Sequence, residues 1–307
     1  MSKTLRYSLI MFAAGCCYGV VVPLVRVIYA QGISPTQVLG LQYFLGSLAL
    51  ALVVLIFFRR KVAPKALLQL LGVGFLAAGV SFFYYQAISL IPSATALTLL
   101  FQFVWMGVVA QAVRERTFPP AMTIISVLVI MLGTILATGV LEAGPEPLNV
   151  IGVLFGFLSA VFYTAFLVAS GKAAAGVPAV NRTLFTTIGS FIIALVIYPS
   201  FFTETLAPNL TNGELLMPSL ALGMMGILLP VFLIAYSAPH LPNGLATIMA
   251  SSELPSGILC VMLFMGDKIS PLVFLGVVIV LAGIVLSQAK DVLKALSVHA
   301  NDKKLRH

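Results

Sequence analysis

Ten apolar stretches, each long enough to form a bilayer-crossing helix, follow one another along the chain. They run over residues 7–30, 35–57, 66–90, 93–113, 120–140, 149–170, 180–202, 215–238, 243–265 and 271–288. A hydrocarbon core about 30 Å thick takes roughly 20 apolar residues per helix. Inside it every backbone N–H and C=O needs an internal partner, so only helices and closed barrels can cross. These stretches are too long and too uniformly apolar for the alternating strands of a barrel. The expectation is an all-α integral membrane protein with ten transmembrane helices. Charged residues make up 8% of the 307, where a soluble domain carries about 25%. That excludes a water-soluble enzyme and a disordered chain.

Turn and charge signals separate the stretches: Gly32-Ile33-Ser34-Pro35, Arg59-Arg60-Lys61, Ile91-Pro92-Ser93, Pro119-Pro120, Gly144-Pro145-Glu146-Pro147 and Leu241-Pro242-Asn243. Lys3 and Arg6 precede the first stretch as in a signal peptide, but the apolar run is too long for a cleaved segment, so a retained first helix is expected. Cys16, Cys17 and Cys260 lie inside apolar runs and read as buried side chains rather than redox or metal groups.

Placing the amino terminus inside and counting alternate loops puts fifteen of the seventeen lysines and arginines on the inner side. Only Arg26 and Lys268 fall outside, whereas the acidic Glu142, Glu146, Glu204 and Glu214 do. This bias predicts a multi-pass protein of the cell inner (plasma) membrane with both termini cytoplasmic. It also explains the net charge of +8 without a nucleic-acid partner.

The two halves resemble each other in order. Phe44-Leu45-Gly46-Ser47 matches Thr187-Ile188-Gly189-Ser190, Tyr18 matches Tyr163, and Ile91-Pro92-Ser93 matches Leu241-Pro242-Asn243. Glu115-Arg116 before Pro119 matches Asp267-Lys268 before Pro271, and Gly133 matches Gly283. This divides the chain into a first five-helix repeat (1–144), a second (145–289) and a basic cytoplasmic tail (290–307). Five is odd, so the second repeat enters the membrane from the opposite side; such inverted repeats mark transporters with a site near the midplane.

The paired repeats, the charged turn before the last helix of each, and the glycine-bearing tenth segment resemble the drug/metabolite transporter superfamily, and within it the ten-helix EamA-type exporters. Ser252-Glu253-Leu254-Pro255 followed by Gly266-Asp267 resembles that repeat's E-x-P…G-E pattern, with Asp in place of the last Glu. The first repeat departs from it, with Trp105 where the second has Pro255. The bulky aromatics resemble the amino-acid exporter branch, which includes the aromatic amino-acid exporters. The resemblance implies export of small organic metabolites by alternating access.

Candidate binding residues come from polar and aromatic faces inside the apolar stretches. Thr95, Thr98, Gln102 and Trp105 recur at spacings of three and four and share one face. Polar groups facing lipid are costly, so this face is expected to look into the bundle, either lining a cavity or bonding between helices. Ser159, Tyr163, Phe166 and Ser170 share a face of the sixth stretch, whose repeat mate carries Tyr18. Phe82-Phe83-Tyr84-Tyr85 reads equally as an interfacial belt or a cavity mouth. Tyr236 lies near an inner end with His240. Pro23, Pro230 and Pro255 are expected kinks.

Glu253, next to Ser252, is the one acidic residue deep inside an apolar stretch. An ionised carboxylate there costs at least a few kcal/mol, so it must be protonated, reach water, or bond neighbours. Its functional readings are a proton carrier or an anchor for a substrate ammonium, against a structural hydrogen bond. The expected substrate-binding set is Tyr18, Tyr84, Thr98, Gln102, Trp105, Ser159, Tyr163, Tyr236, Ser252 and Glu253.

No HExxH, Walker A, haem pair or Ser/His/Asp set occurs, so no enzyme activity, cofactor or metal is expected. No filter motif argues for a channel. The expected partners are a small-molecule substrate and the lipid bilayer; whether the chain is a monomer or dimer is open. The rival readings are a transporter of drugs or nucleotide-sugars and a membrane structural protein without cargo.

Overall fold

The computed structural model describes residues 3–57, 62–142, 149–208, 213–266 and 268–288. Arg59-Arg60-Lys61, Gly144-Pro145-Glu146-Pro147, Asp267 and the tail 290–307 lie outside the described residues. All regular structure within them is helical.

The chain runs α1 (Lys3–Ala30), α2 (Pro35–Phe57), α3 (Pro64–Ile88), α4 (Ser93–Leu100), α5 (Phe103–Glu115), α6 (Ala121–Ala137), α7 (Val150–Lys172) and α8 (Ala179–Ile197). A π-helical turn (Phe201–Leu206) precedes α9 (Gly213–Gly223). A second one (Met224–Leu228) joins α9 to α10 (Leu229–Ser237). Then come α11 (Asn243–Ala250), α12 (Glu253–Met265) and α13 (Pro271–Ser287). Eight of the helical stretches are long and apolar enough to cross a membrane, and α6 and α13 are shorter apolar helices of 17 residues.

Local chemistry sets the ends. Asn149 accepts hydrogen bonds from the Ile151 and Gly152 N–H groups at the start of α7, and Ser270 accepts from Val273 N–H at the start of α13. Proline opens α13 at its first position, where no donor is lost. Arg116 (φ 51°) and Gly266 (φ 70°) close α5 and α12 in the left-handed conformation. Arg116, carrying a Cβ, adopts it at some cost.

Two of the long stretches are broken, at Phe101-Gln102 between α4 and α5 and at Ser251-Ser252 between α11 and α12. The two breaks share one hydrogen-bond pattern. Gln102 N–H donates to Leu99 O and Val104 N–H to Phe101 O; Ser252 N–H donates to Met249 O and Leu254 N–H to Ser251 O. Each tightens one turn to three-residue spacing and re-aims the following half-helix. Pro255 therefore sits in the first turn of a new helix, where proline is tolerated, rather than kinking a continuous one. Pro23 is held inside an unbroken α1. Pro230 follows the second π-turn.

Packing crosses between the halves. α1 lies against α11 and α12, α7 against α4 and α5, and α6 against α13. Glycine permits the first contact: a Cβ at Gly19 would sit 2.5 Å from the Gly257 nitrogen and 2.8 Å from the Glu253 carbonyl oxygen. The outer surface is apolar. On α6, Met122, Ile125, Leu128, Leu132 and Ile135 are all exposed at spacings of three and four, an outward stripe that water would not tolerate on a monomer.

Candidate functional site

A cavity of about 510 Å³ opens inside the bundle. Its floor lies where the Ser251-Ser252 break delivers Glu253, the first residue of α12, and where α7 delivers Tyr163. The Tyr163 hydroxyl donates to Glu253 Oε2 at 3.0 Å. Tyr18 meets Tyr163 edge-on, with ring centroids 6.4 Å apart, and the Phe103 ring lies 4.4 Å from Tyr163 on the other side. From this floor the wall climbs past Gln42, Tyr43, Tyr84, Tyr85, Leu97 and Phe101 to Arg26, Tyr29, Ser93, Thr138 and Lys268. The last five sit at helix ends, and Arg26 and Lys268 are exposed, so the cavity communicates with that end of the molecule. Arg26 lies about 12 Å along α1 from Tyr18. Among the described residues of the wall, the floor carries one carboxyl group and no cation.

Six of the nine tyrosines line this cavity. A tyrosine presents an apolar ring with one polar tip, so the wall is greasy with scattered hydroxyls. Some of these tips are already committed: Tyr43 donates to Ala77 O at 3.0 Å and lies 3.1 Å from Ser81 Oγ. A concave, mostly apolar wall with a few polar groups suits a small organic solute.

Of the ten residues expected from sequence, Tyr18, Tyr84, Tyr163 and Glu253 line the cavity. The other six lie off its wall. The α4–α5 stripe is a repair of the helix break. Because Gln102 N–H turns to Leu99 O, the Thr98 carbonyl loses its helical donor, and Gln102 Nε2 supplies one at 3.0 Å. Trp105 Nε1 then donates to Gln102 Oε1 at 2.8 Å, and Thr98 Oγ1 pairs with Thr138 Oγ1 at 2.9 Å. Ser159 turns back to Gly156 O at 2.6 Å. Ser252 donates to Phe12 O on α1 at 2.7 Å. Tyr236 lies toward the opposite end, its ring 5.9 Å from Tyr7. Helix α3 divides its aromatic run, with Tyr84 and Tyr85 on the cavity and Phe83 packed at a tilt against Phe155 and Phe162.

Gln42 and Tyr43 are wall residues that the sequence reading passed over. Their signal is a polar pair, Gln42-Tyr43, inside the apolar stretch 35–57. Gln102→Leu is expected to orphan the Thr98 carbonyl and the Trp105 N–H, at about 1–3 kcal/mol for each buried group left unpaired. The thermal midpoint in detergent should fall by several degrees while cargo preference holds. A changed cargo preference at unchanged midpoint would put this stripe back in the cavity.

No curated protein sequence matches the chain. A crystal structure 17% identical to it superposes with a TM-score of 0.78 over 94% of this chain and 98% of the other; at that identity the likeness shows the fold alone. The EamA-like transporter family matches twice, over residues 5–139 and 150–288, one match on each side of residues 143–148 and each containing one broken stretch. Those two matches together span most of the sequence, and the chain belongs to the EamA-like transporter family of multi-pass membrane proteins that carry small solutes.

Proposed function

We propose that the chain is a secondary transporter that exports small organic metabolites, amino acids among them, by alternating access across the cell inner membrane. The carrying observation is the cavity, which reaches from one end of the bundle to Glu253 and Tyr163 at mid-bundle and stops there. Such a half-channel, framed by two broken helices, is what a carrier needs to expose a site to one side at a time. The matched breaks, the matched left-handed caps and the double family match support two inverted five-helix repeats, with α6 and α13 completing ten crossings. The charge count supports cytoplasmic termini. On that orientation the open end faces outward and the end bearing Arg114, Arg116, Lys172 and Arg182 faces the cytoplasm.

Glu253 suits the amine of a cargo molecule, and the tyrosine wall suits an apolar body. Phosphorylated solutes fit poorly, because their recognition needs cations at the floor, and the wall's cations stand at the mouth. A cargo-free structural protein has no use for a chamber of this size.

Counterflow in proteoliposomes across the amino acids and their decarboxylated amines tests the reading. Leu97→Trp, which sets a bulkier side chain on the chamber wall and leaves Glu253 in place, serves as the blocked control. At least one solute class should exchange through the wild type and be cut roughly tenfold or more in Leu97→Trp. No exchange by the wild type for any solute, or equal exchange by both proteins, would overturn it. In the same vesicles a cysteine at position 146 should label from the extracellular side.

A further inference from the structure

Arg182 counts in the sequence as one more cytoplasmic loop cation, but it is 3% exposed. From the first turn of α8 its Nε donates to Ala173 O at 3.1 Å and its Nη1 to Ala235 O at 2.6 Å; its Nη2 donates to Ser170 O. None of the described carboxylates, Glu115, Glu142, Glu204 and Glu253, bonds to it. Its three partners are main-chain carbonyls at the carboxyl ends of α7 and α10, where helices leave acceptors unpaired and carry partial negative charge.

Two of these carbonyls lack their usual helical donor. Four residues beyond Ala235 stands Pro239, which has no N–H to give. Four beyond Ser170, the Ala174 N–H is taken by Gln69 Oε1 at 3.3 Å. One guanidinium thus ties α7, α8 and α10 together by a bond set that only a planar, five-donor group can make.

Arg182 lines a void of about 10 Å³ with Leu70, Val73, Thr186 and Val231. Val231 also lines the main cavity, and it is 3% exposed. Val231 therefore borders both the transport chamber and the void at the closed end. Under the Gly46–Gly189 match the counterpart of Arg182 is Leu39, an apolar residue, and the end of the bundle where α2 begins is the open one.

We infer that Arg182 is the latch of the closed end: its three carbonyl bonds hold α7, α8 and α10 together, and their release joins the void to the main chamber across Val231, opening the cavity to the other side. Arg182 is a positioning residue that acts through helix ends and does not touch cargo. The inference rests on the alternating-access reading.

The test uses the full-length protein with Cys16, Cys17 and Cys260 replaced by serine, and one reporter cysteine at a time: Thr186→Cys at the closed end or Leu97→Cys in the chamber. A membrane-impermeant maleimide is applied from each side. In Arg182→Gln the Thr186→Cys reporter should label at least tenfold faster and the Leu97→Cys reporter correspondingly slower. Pro239→Ala restores a main-chain donor for the Ala235 carbonyl and so removes one acceptor from the arginine. It should shift both reporters in the same directions by a few fold, and it reports on the latch even where Arg182→Gln fails to insert. A latch predicts opposite changes at the two reporters. A joint rise means a loosened bundle, and unchanged rates in both variants mean no latch; either overturns the inference. Wild-type rates measured with the amino-acid panel separate the two readings. Reporters that respond to solute while both variants behave as wild type sink the latch alone. Reporters that respond to the variants and to no solute sink the cargo assignment alone.

Discussion

Glu253→Gln should insert and fold as the wild type does and lose roughly 10- to 150-fold of its net cargo flux. Glutamine keeps an oxygen for the Tyr163 hydroxyl, which donates at 3.0 Å in the native protein, so the local packing survives. It removes the one carboxyl of the cavity floor. A hydrogen bond to a charged group contributes about 1.5–3 kcal/mol, and each 1.4 kcal/mol is a factor of ten. The pattern of loss identifies the role. Where net flux driven by a proton gradient collapses and cargo-for-cargo exchange survives, Glu253 carries the proton. Where both fall together, it anchors the cargo ammonium. Wild-type flux and exchange across pH 6 to 8 would leave Glu253 with neither role; net uptake driven by an imposed proton gradient and counterflow in proteoliposomes read these outcomes directly.

Gly19→Val should cost most of the folded protein. A Cβ there meets main chain, the Gly257 nitrogen at 2.5 Å and the Glu253 carbonyl at 2.8 Å, and main chain in a helix cannot swing aside as a flexible side chain can. Overpacking of a tight core typically costs 1–3 kcal/mol, and here the whole α1–α12 contact has to open. The yield of monodisperse protein after detergent extraction should drop several-fold. Gly72→Ala is the matched control, since a Cβ at Gly72 meets nothing within 4 Å. Gly72 lies inside α3, where alanine is favoured over glycine by up to about 1 kcal/mol, so that variant should be at least as stable as the wild type. Equal yields of Gly19→Val and wild type would mean that α1 is free to move away from α12 at no cost.

Much of the scaffold was legible because the bilayer is a severe constraint. Each apolar stretch marked from sequence is mostly helical where it is described, and the ends are set by residues that sequence rules recognise, such as Asn149, Ser270 and Gly266. The breaks inside the stretches 93–113 and 243–265 were not legible, because apolar character continues through a two-residue interruption and periodicity does not register a tightened turn. The breaks bear on Thr98, Gln102, Trp105 and Ser252: side chains that a continuous helix would point into the bundle bond the carbonyls and neighbours of a broken one. Glu253 and Tyr163 were legible, one as an isolated acid in apolar surroundings and the other as the repeat mate of Tyr18. Arg182 was misplaced for a different reason. Its Cα stands near a helix end, and its long side chain reaches inward to carbonyls that Pro239 and Ala174 leave available.

The two breaks are alike in hydrogen bonding but not in what they deliver to the chamber. At the position in α5 that corresponds to Glu253 in α12, the first half presents Phe103, whose ring lies against Tyr163. Two halves built alike would bring two acids face to face; this chain brings one. In the proton-carrying role, a single acid fixes the gearing of the machine at one proton per cycle. One elementary charge moving through 100 mV is worth about 2.3 kcal/mol, which supports a cargo gradient of roughly fifty-fold. Such a carrier works as a low-ratio relief valve, able to vent a solute that accumulates inside and unable to pump it against a steep external excess.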